Sequence, residues 1–539
     1  MDARRISRWL LTAAALLPVF LLLVRGYDGM EFNGDAYRYY GSAINLLDAW
    51  CSDTPVETGF WPLGYPLFAA LVMSVAGKSF FAAQVVSLLA GWWSLFFLLR
   101  LFRLEDGRIA PEALLGCTLL LTSGYWLRYT TTIMSDLPAV CWSLGALYFV
   151  RRWCEGKSVP HLVATALCLA GAITTRYVSG LVLLPVAWLL FRTPDRPVVR
   201  MVQLIALLGL VTVILLPQLY FSLRIPDASV RHPWLAHWSF GNFFAGDRTT
   251  IDGHLHVTWP NLLYYLLAPF RTSELSPVGA LLACSGAWTR MRRGYSPTDA
   301  MMAVWFLAVW LFLSGIPIQN PRFALPLYLP VAWFAVGGLR SWLHERSERT
   351  GLGFILVYIG VAGGAGIMKW QSFVKEKDRM LSEAKAYDRR IPKGARILTW
   401  DYYEAFHIYV PERKVSTIHG QDRPSLQRLL EEHDTLYLLF DEARLEQAWS
   451  GLEPALAYRQ LLDRNPSELL DRQGPYTLRR CIVRGQSAPL NSVPSRLIFR
   501  FRMKKKFELL EKKIAEAKLG GGEARIAAQH KKGKLTARE

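Results

Sequence analysis

Apolar runs nearly free of charge, each long enough or almost long enough to cross a bilayer as a helix, recur along most of the chain. A backbone inside hydrocarbon must satisfy its own hydrogen bonds, so runs of about 17–25 apolar residues force helices. About eleven are legible: 7–24, 79–99, 109–127, 132–150, 160–175, 178–191, 201–222, 276–289, 299–317, 323–339 and 352–369. The first reads as a span rather than a removed signal peptide, because no small-x-small cleavage site follows Val24 before Arg25-Gly26-Tyr27. With 52% hydrophobic and 19% charged residues in 539, a purely soluble protein is excluded.

The net charge is +19, yet the basic residues sit between apolar runs rather than on one face of a soluble domain, which argues against nucleic acid as a partner. They collect in alternate connections. Arg4, Arg5 and Arg8 precede the first span; Arg100, Arg103 and Arg108 follow the second; Arg151, Arg152 and Lys157 follow the fourth. Arg192, Arg196 and Arg200, then Arg290, Arg292 and Arg293, then Arg340, Arg346 and Arg349 continue the pattern. Cytoplasmic loops retain Lys and Arg, so the N-terminus is expected in the cytoplasm and the C-terminus outside. This holds if the apolar stretch 60–77 does not cross; Trp61-Pro62-Leu63-Gly64-Tyr65-Pro66 and the apolar residues after it are expected to form a helix in or dipping into the outer interface. An ordinary twelfth span there would put every later basic loop outside.

Three pieces are then expected outside: a first loop at 25–60, a second at 223–275, and everything after Trp370. Residues 373–485 change character. Ala395–Trp400, Lys414–Ile418, Thr435–Phe440 and Thr477–Val483 read as strands, and Asp401–Tyr409 and Leu426–Glu432 as helices, which predicts a small α/β domain. The expected division is 1–370 membrane domain, 371–490 extracytoplasmic α/β domain and 491–539 basic tail, helical or disordered. The tail holds 14 basic against 5 acidic residues, about half the net charge; it reads as solvated charge or as an attachment to anionic lipid or polymer. Seven cysteines include no CxxC or Cys/His cluster, and only Cys51 and Cys481 are expected outside both membrane and cytosol.

Basic residues at outer ends of spans resist the topological bias and so are informative. Arg128, Arg176 and Arg322 are three of them, at one expected level. Arginines at that depth can grip a phosphate or pyrophosphate bidentately, or snorkel as structural residues. Carboxylates share the level: Asp35 in Gly34-Asp35-Ala36-Tyr37, with Asp28 and Glu31 upstream, and Asp136 in Ser135-Asp136-Leu137-Pro138. An acid that opens a helix also favours the helix dipole, and Asp136 fits either role. A carboxylate beside cations is what transfer from a lipid phosphate needs, a base for the acceptor proton and positive charge for the departing phosphate. Asp247, Asp252, His254 and His256 could mimic a metal cluster but read better as solvated loop residues, and Trp234, Trp238 and Trp259 read as interfacial anchors.

In order, Gly34-Asp35-Ala36-Tyr37, Phe60-Trp61-Pro62-Leu63-Gly64-Tyr65-Pro66-Leu67-Phe68, Ser135-Asp136-Leu137-Pro138, Thr175-Arg176 and Asn320-Pro321-Arg322-Phe323-Ala324-Leu325-Pro326 precede a C-terminal α/β domain. In that order the sequence resembles the GT-C superfamily of polytopic glycosyltransferases, in the branch of protein O-mannosyltransferases and the lipid A aminoarabinose transferase. The resemblance spans about residues 7–485. It implies a mainly α polytopic fold and transfer of a monosaccharide from a polyprenyl-phosphate-linked donor to an acceptor glycan, lipid or protein. It further implies Asp35 as catalytic base, Asp136 as a helper that orients acceptor or sugar, and the outer arginines as contacts to the lipid phosphate. No cofactor or metal is implied. The first loop lacks an adjacent Asp-Glu pair, and Trp-Pro-Leu-Gly-Tyr-Pro replaces the Pro-Pro-Leu-Tyr form of well-studied members.

A transporter or flippase would carry its ionisable groups near the midplane and often repeat its halves; here the polar groups cluster at outer ends and no repeat is legible. A ligase moving a whole lipid-linked polysaccharide would share the outer arginines, and a scaffold would rely on the α/β domain alone. A plasma or inner membrane is expected, because no retention signal ends the sequence.

Overall fold

The computed structural model describes residues 3–31, 34–52, 61–224, 233–244, 246–250, 253–272, 274–344, 348–418 and 434–483. In chain order the helices begin with α1 (Ala3–Arg25), α2 (Asp35–Cys51), α3 (Gly64–Ala76), α4 (Phe80–Asp106), α5 (Pro111–Leu121), α6 (Gly124–Thr131), α7 (Asp136–Gly156) and α8 (Val159–Thr175). They continue with α9 (Leu183–Phe191), α10 (Pro197–Arg224) and α11 (Pro233–Ala236), then the hairpin β1 (Asp247–Thr250) and β2 (Gly253–His256). The bundle closes with α12 (Asn261–Leu267), α13 (Ser276–Arg293), α14 (Pro297–Gly315), α15 (Leu325–His344) and α16 (Glu348–Asp388). A C-terminal unit completes the fold: β3 (Arg396–Thr399), α17 (Tyr403–Tyr409), β4 (Lys414–Thr417), β5 (Thr435–Asp441), α18 (Glu442–Ala448), α19 (Glu453–Arg464), β6 (Ser467–Gln473) and β7 (Tyr476–Ile482).

Among the described residues, five helices are long and apolar enough to cross a membrane, Arg5–Arg25, Phe80–Asp106, Pro197–Leu223, Pro297–Gly315 and Pro321–Leu343. A sixth is gained if α6 and α7, bent by 102° across a short break, count as one. The expected count of about eleven is therefore not reproduced as eleven long helices. Local chemistry explains the shortfall. The run 109–127 is cut at Thr122, and Ser123 restarts the chain by accepting from Trp126 N. The run 178–191 opens as a 3-10 turn at Tyr177–Val182, after Arg176 has taken extended backbone. Residues 276–289 belong to a helix whose last turn carries Arg290, Arg292 and Arg293. The stretch 60–77 becomes α3, whose 13 residues span about 20 Å, too short to cross an apolar core alone.

Helix ends follow their capping residues. Ser79 accepts from Ala82 N to start α4, and Gly107, left-handed at φ 69°, ends it. Ser296 and Asp299 form a reciprocal capping box at α14, with Pro297 at the first position. Small residues let helices cross closely: a methyl at Gly286 of α13 would run into the Phe334 carbonyl of α15, and one at Gly338 into the Leu282 carbonyl.

The C-terminal sheet has the order β4-β3-β5-β7-β6, with β3 parallel to both β4 and β5 and the β5-β7-β6 portion antiparallel. β5 is buried from Leu436 to Phe440 because both faces are covered. Leu398, Leu436 and Leu438 meet Leu445, Trp449, Tyr458 and Leu461 of the α18–α19 side. Tyr437 and Leu439 meet Ala384 and Tyr387 of α16 and Ala405 and Phe406 of α17. Four expected strands and the helix at 403–409 thus occur within a residue or two; β6, α18 and α19 are additional, and the expected helix 426–432 and tail 491–539 lie outside the described residues. The 370/371 division falls inside α16, a single helix of 41 residues. All seven cysteines are free; Cys51 is exposed and Cys481 is buried in the sheet.

Gly338→Ala should destabilise by about 1–3 kcal/mol through overpacking, whereas Gly360→Ala, with nothing near it, should be neutral or slightly stabilising. Thermal unfolding in detergent checks the pair, and equal shifts would refute the close crossing.

Candidate active site

The candidate residues are set by helix ends. Gly34 takes a left-handed backbone at φ 79° and turns the chain so that Asp35 opens α2. The bend between α6 and α7 is lined by buried Thr131, Thr132 and Ser135, and the two threonine hydroxyls donate back to Leu127 and Arg128 carbonyls. Such back-bonding satisfies the broken helix end. It leaves Asp136, only 4% exposed, as the first residue of α7. Ser135 Oγ and Tyr39 Oη, 2.7 Å apart, lock α2 to that corner. Asn320 caps the backbone N–H of Arg322 at 3.0 Å, and Tyr265 Oη accepts from Asn320 N while donating to the Ile318 carbonyl. That turn delivers Arg322 to the same corner.

There the charges meet. Arg322 Nη1 donates to Asp35 Oδ2 at 2.6 Å, and Arg176 Nη1 to Asp136 Oδ1 at 2.6 Å. Arg322 Nε stands 3.6 Å from Asp136 Oδ1, outside hydrogen-bond range. Arg322 Nε and Asp136 Oδ2 are buried side-chain atoms without a hydrogen-bond partner among the described residues. Two carboxylates and two guanidinium groups make a neutral cluster with bonding capacity left over. Phe323 stands beside both arginines, its ring centroid 5.6 Å from Arg176 and 5.4 Å from Arg322.

Of the five residues singled out in the sequence, Asp35, Asp136, Arg176 and Arg322 are thus brought together and Arg128 is not. Arg128 makes a bidentate pair with Glu31, at 2.5 and 2.8 Å, and lies 3.8 Å over the Phe373 ring of α16. Glu31 is 7% exposed, and Thr132 Oγ1 stands 3.4 Å from its Oε1. Tyr129, stacked with Tyr125 at 6.1 Å, lies under Arg128, 5.4 Å from its guanidinium.

Three contributions were missed in the sequence. Asp28, passed over upstream of Asp35, accepts from Tyr409 Oη of α17 and pairs with Lys377 of α16 at 3.0 Å. Arg271 lies 4.6 Å from the Tyr264 ring centroid, with no carboxylate at ion-pair distance among the described residues. It too is a basic residue in an expected outer loop, the signal that selected the other three arginines. Glu404 of α17, whose Oε1 would lie 3.0 Å from a methyl group at Gly34, carried no local signal.

The β1–β2 hairpin leans on the C-terminal unit: the His254 ring and the Ser450 carbonyl are 2.8 Å apart. His256 pairs with Asp247, and no group of three potential metal ligands converges among the described residues. A cleft of about 490 Å³ opens between hairpin and α18, lined by Arg248, His254, His256 and Arg444 among others, but by none of the five candidates. Trp238 is wedged against α14, donating to the Phe312 carbonyl at 2.9 Å, whereas Trp259 is exposed; the side chain of Trp234 lies outside those described.

Residues 61–221 match the family model described as dolichyl-phosphate-mannose-protein mannosyltransferase. No curated protein sequence matches the chain. Among solved structures, apo ArnT from Cupriavidus metallidurans superposes with a TM-score of 0.58 at 14% identity, covering 87% of this chain and 98% of that one. ArnT bound to undecaprenyl phosphate gives 0.56 at 14% identity, covering 86% and 97%. The Archaeoglobus fulgidus oligosaccharyltransferase AglB, in complex with an inhibitory peptide and a dolichol-phosphate, gives 0.52 at 12% identity, covering 90% and 75%. The chain is a multi-pass membrane protein with the fold of the GT-C superfamily, the superfamily its sequence motifs resemble.

Proposed function

We propose that this chain is an integral-membrane glycosyltransferase that moves one monosaccharide from a polyprenyl-phosphate carrier to an acceptor hydroxyl, with inversion. The supporting observation is the neutral cluster of Asp35, Asp136, Arg176 and Arg322 at the end of the bundle that meets the C-terminal unit. Solved proteins of this fold have been captured with undecaprenyl phosphate and dolichol-phosphate. In this reading the N-terminus is cytoplasmic, the site and the C-terminal unit are extracytoplasmic, and the membrane is a plasma or inner membrane.

The chemistry is one displacement. A donor phosphate entering the cluster competes with Asp35 and Asp136 for the guanidinium groups, and the fork geometry of arginine suits either partner. Arg322 turning toward phosphate releases Asp35 to take the acceptor's proton. The acceptor oxygen bonds to the anomeric carbon as the bond from that carbon to the phosphate oxygen breaks, and polyprenyl phosphate leaves with its charge held by Arg176 and Arg322. Asp136 holds both arginines in register. Arg128 reaches a phosphate only by giving up Glu31, so it serves the lipid head group at one remove. The same cluster would serve a ligase handling a longer glycan, and likeness to an oligosaccharyltransferase keeps that second reading in view. A flippase is disfavoured because these charges lie at a bundle end.

Asp35→Asn should lower transfer at least about 100-fold at equal membrane levels. Mass spectrometry of surface glycans and glycolipids, in cells lacking the protein and complemented with either form, reads this as one missing sugar increment. Full restoration by the Asn variant would remove Asp35 as the base. Arg322→Ala removes the cation paired with buried Asp35, while Asp136 keeps Arg176, and should cost about 3–5 kcal/mol of stability, with Arg322→Lys costing distinctly less. Thermal unfolding of the purified variants separates these; an Ala variant as stable as wild type would contradict the ion network.

A further inference from the structure

The start of α2 is roofed by the C-terminal unit. Gly34 packs so closely beneath α17 that an added methyl would lie 3.0 Å from Glu404 Oε1, one residue before Asp35. The Tyr37 ring meets His407 edge-on at 4.8 Å, and Tyr403 stacks with His407 at 5.5 Å. Tyr409 donates to Asp28, which Lys377 also holds, so α2 and the chain ahead of it meet α16–α17 at Asp28 before Asp35 and at Tyr37 after it. Glu404 is the one acid in α17. The charged and titratable groups facing it are Asp35 and Arg38 from α2, Asp401 from the preceding turn, and the Tyr37, Tyr403 and His407 side chains around them. It forms no ion pair among the described residues.

We propose that Glu404 is a positioning residue for proton transfer at Asp35, a carboxylate lent by the C-terminal unit whose repulsion from Asp35 is relieved as Asp35 takes the acceptor's proton. This rests on the reading of Asp35 as the base. Two like charges set side by side disfavour the doubly ionised state, and the transition state, in which a proton is arriving on Asp35, escapes part of that repulsion. The proton comes from the acceptor hydroxyl and leaves Asp35 for solvent after the product departs; Glu404 itself forms and breaks no bond. Burial is the main cause that holds the Glu404 carboxyl up to about 7; a backbone hydrogen bond and Arg38 oppose it, and the charges of Asp35 and Asp401 add smaller raising contributions.

The sign is fixed. Glu404 is ionised above about pH 7, so kcat for the wild type should rise through that pH. Glu404→Gln should lose the rise and run about 3- to 10-fold slower on the alkaline side, the 10-fold limit corresponding to one pKa unit of interaction, with KM nearly unchanged. Glu404→Asp should retain a rise. The measurement is transfer from a panel of synthetic polyprenyl-phosphate sugars by full-length protein in lipid nanodiscs between pH 5.5 and 9. Identical pH profiles for wild type and Glu404→Gln overturn the proposal.

An activity-independent readout accompanies it. A carboxyl raised from 4.5 to about 7 on folding stabilises the fold fully below the lower value, and that stability is lost as pH rises through the upper one. The wild-type unfolding temperature should step down between about pH 4.5 and pH 7 and level off above it, the step should vanish in Glu404→Gln, and Asp35→Asn should end it at lower pH. A step that ignores Asp35→Asn overturns the coupling. Wild type inert toward every donor, with the coupled step intact, would sink the glycosyl-transfer reading and leave the Glu404–Asp35 interaction standing.

Discussion

The arrangement at the bundle end depends on one electrostatic constraint: Arg322 has to lie between Asp35 and Asp136 with little water. Side-chain exposures of 10% for Arg322, 15% for Asp35 and 4% for Asp136 leave none of the three able to keep a full hydration shell. Buried charges are tolerated when they neutralise one another and fill their hydrogen-bonding capacity. Here neutrality is met and bonding capacity is left over, at Arg322 Nε and Asp136 Oδ2. A site in which charge is balanced but donors and acceptors are spare is suited to exchanging an internal carboxylate for an incoming anion. Much of the surrounding backbone serves this end: the α6–α7 bend, the Asn320 cap and the left-handed Gly34 each aim one member of the cluster.

What could be read in the sequence tracks the range of the forces involved. The apolar runs, the strands of the C-terminal sheet and the helix at 403–409 are local patterns, and they occur close to where periodicity puts them. Several of the expected spans are short or broken, because hydropathy integrates over breaks made by single residues such as Ser123 and Arg176. Arg176 and Arg322 could be singled out because each offends the topological bias at its own position, and Asp35 and Asp136 because they fall at the same expected outer level. Their mutual pairing could not, since Asp35 and Arg322 are 287 residues apart in sequence. Arg128 shows the limit of such local reading. It carries the same local signature as Arg176, yet its partner is Glu31 and it stands in the neighbouring ion-pair group.

The C-terminal unit gave a different lesson. Its strands were legible, but its contact with the membrane part was not, because the residues that make it, Lys377, Tyr409 and Glu404, are ordinary members of amphipathic helices. Only the fold reveals that they converge on Asp28 and Gly34, just ahead of Asp35. A soluble-looking domain in such a chain is thereby part of the wall of the membrane site.

α16 runs for 41 residues from the bundle into the sheet core, about 60 Å of continuous rise. Gly366 presses it against the Thr122 carbonyl at one level, and Ala384 and Tyr387 bury its far end under β5. A rod clamped at two heights acts as a lever. Lipid tails that grow longer or shorter change how such a helix tilts, and the tilt is felt at its far end as a displacement of α17 above the opening turn of α2. A change of tilt along α16 would therefore be carried from the bundle to the turn where α2 opens.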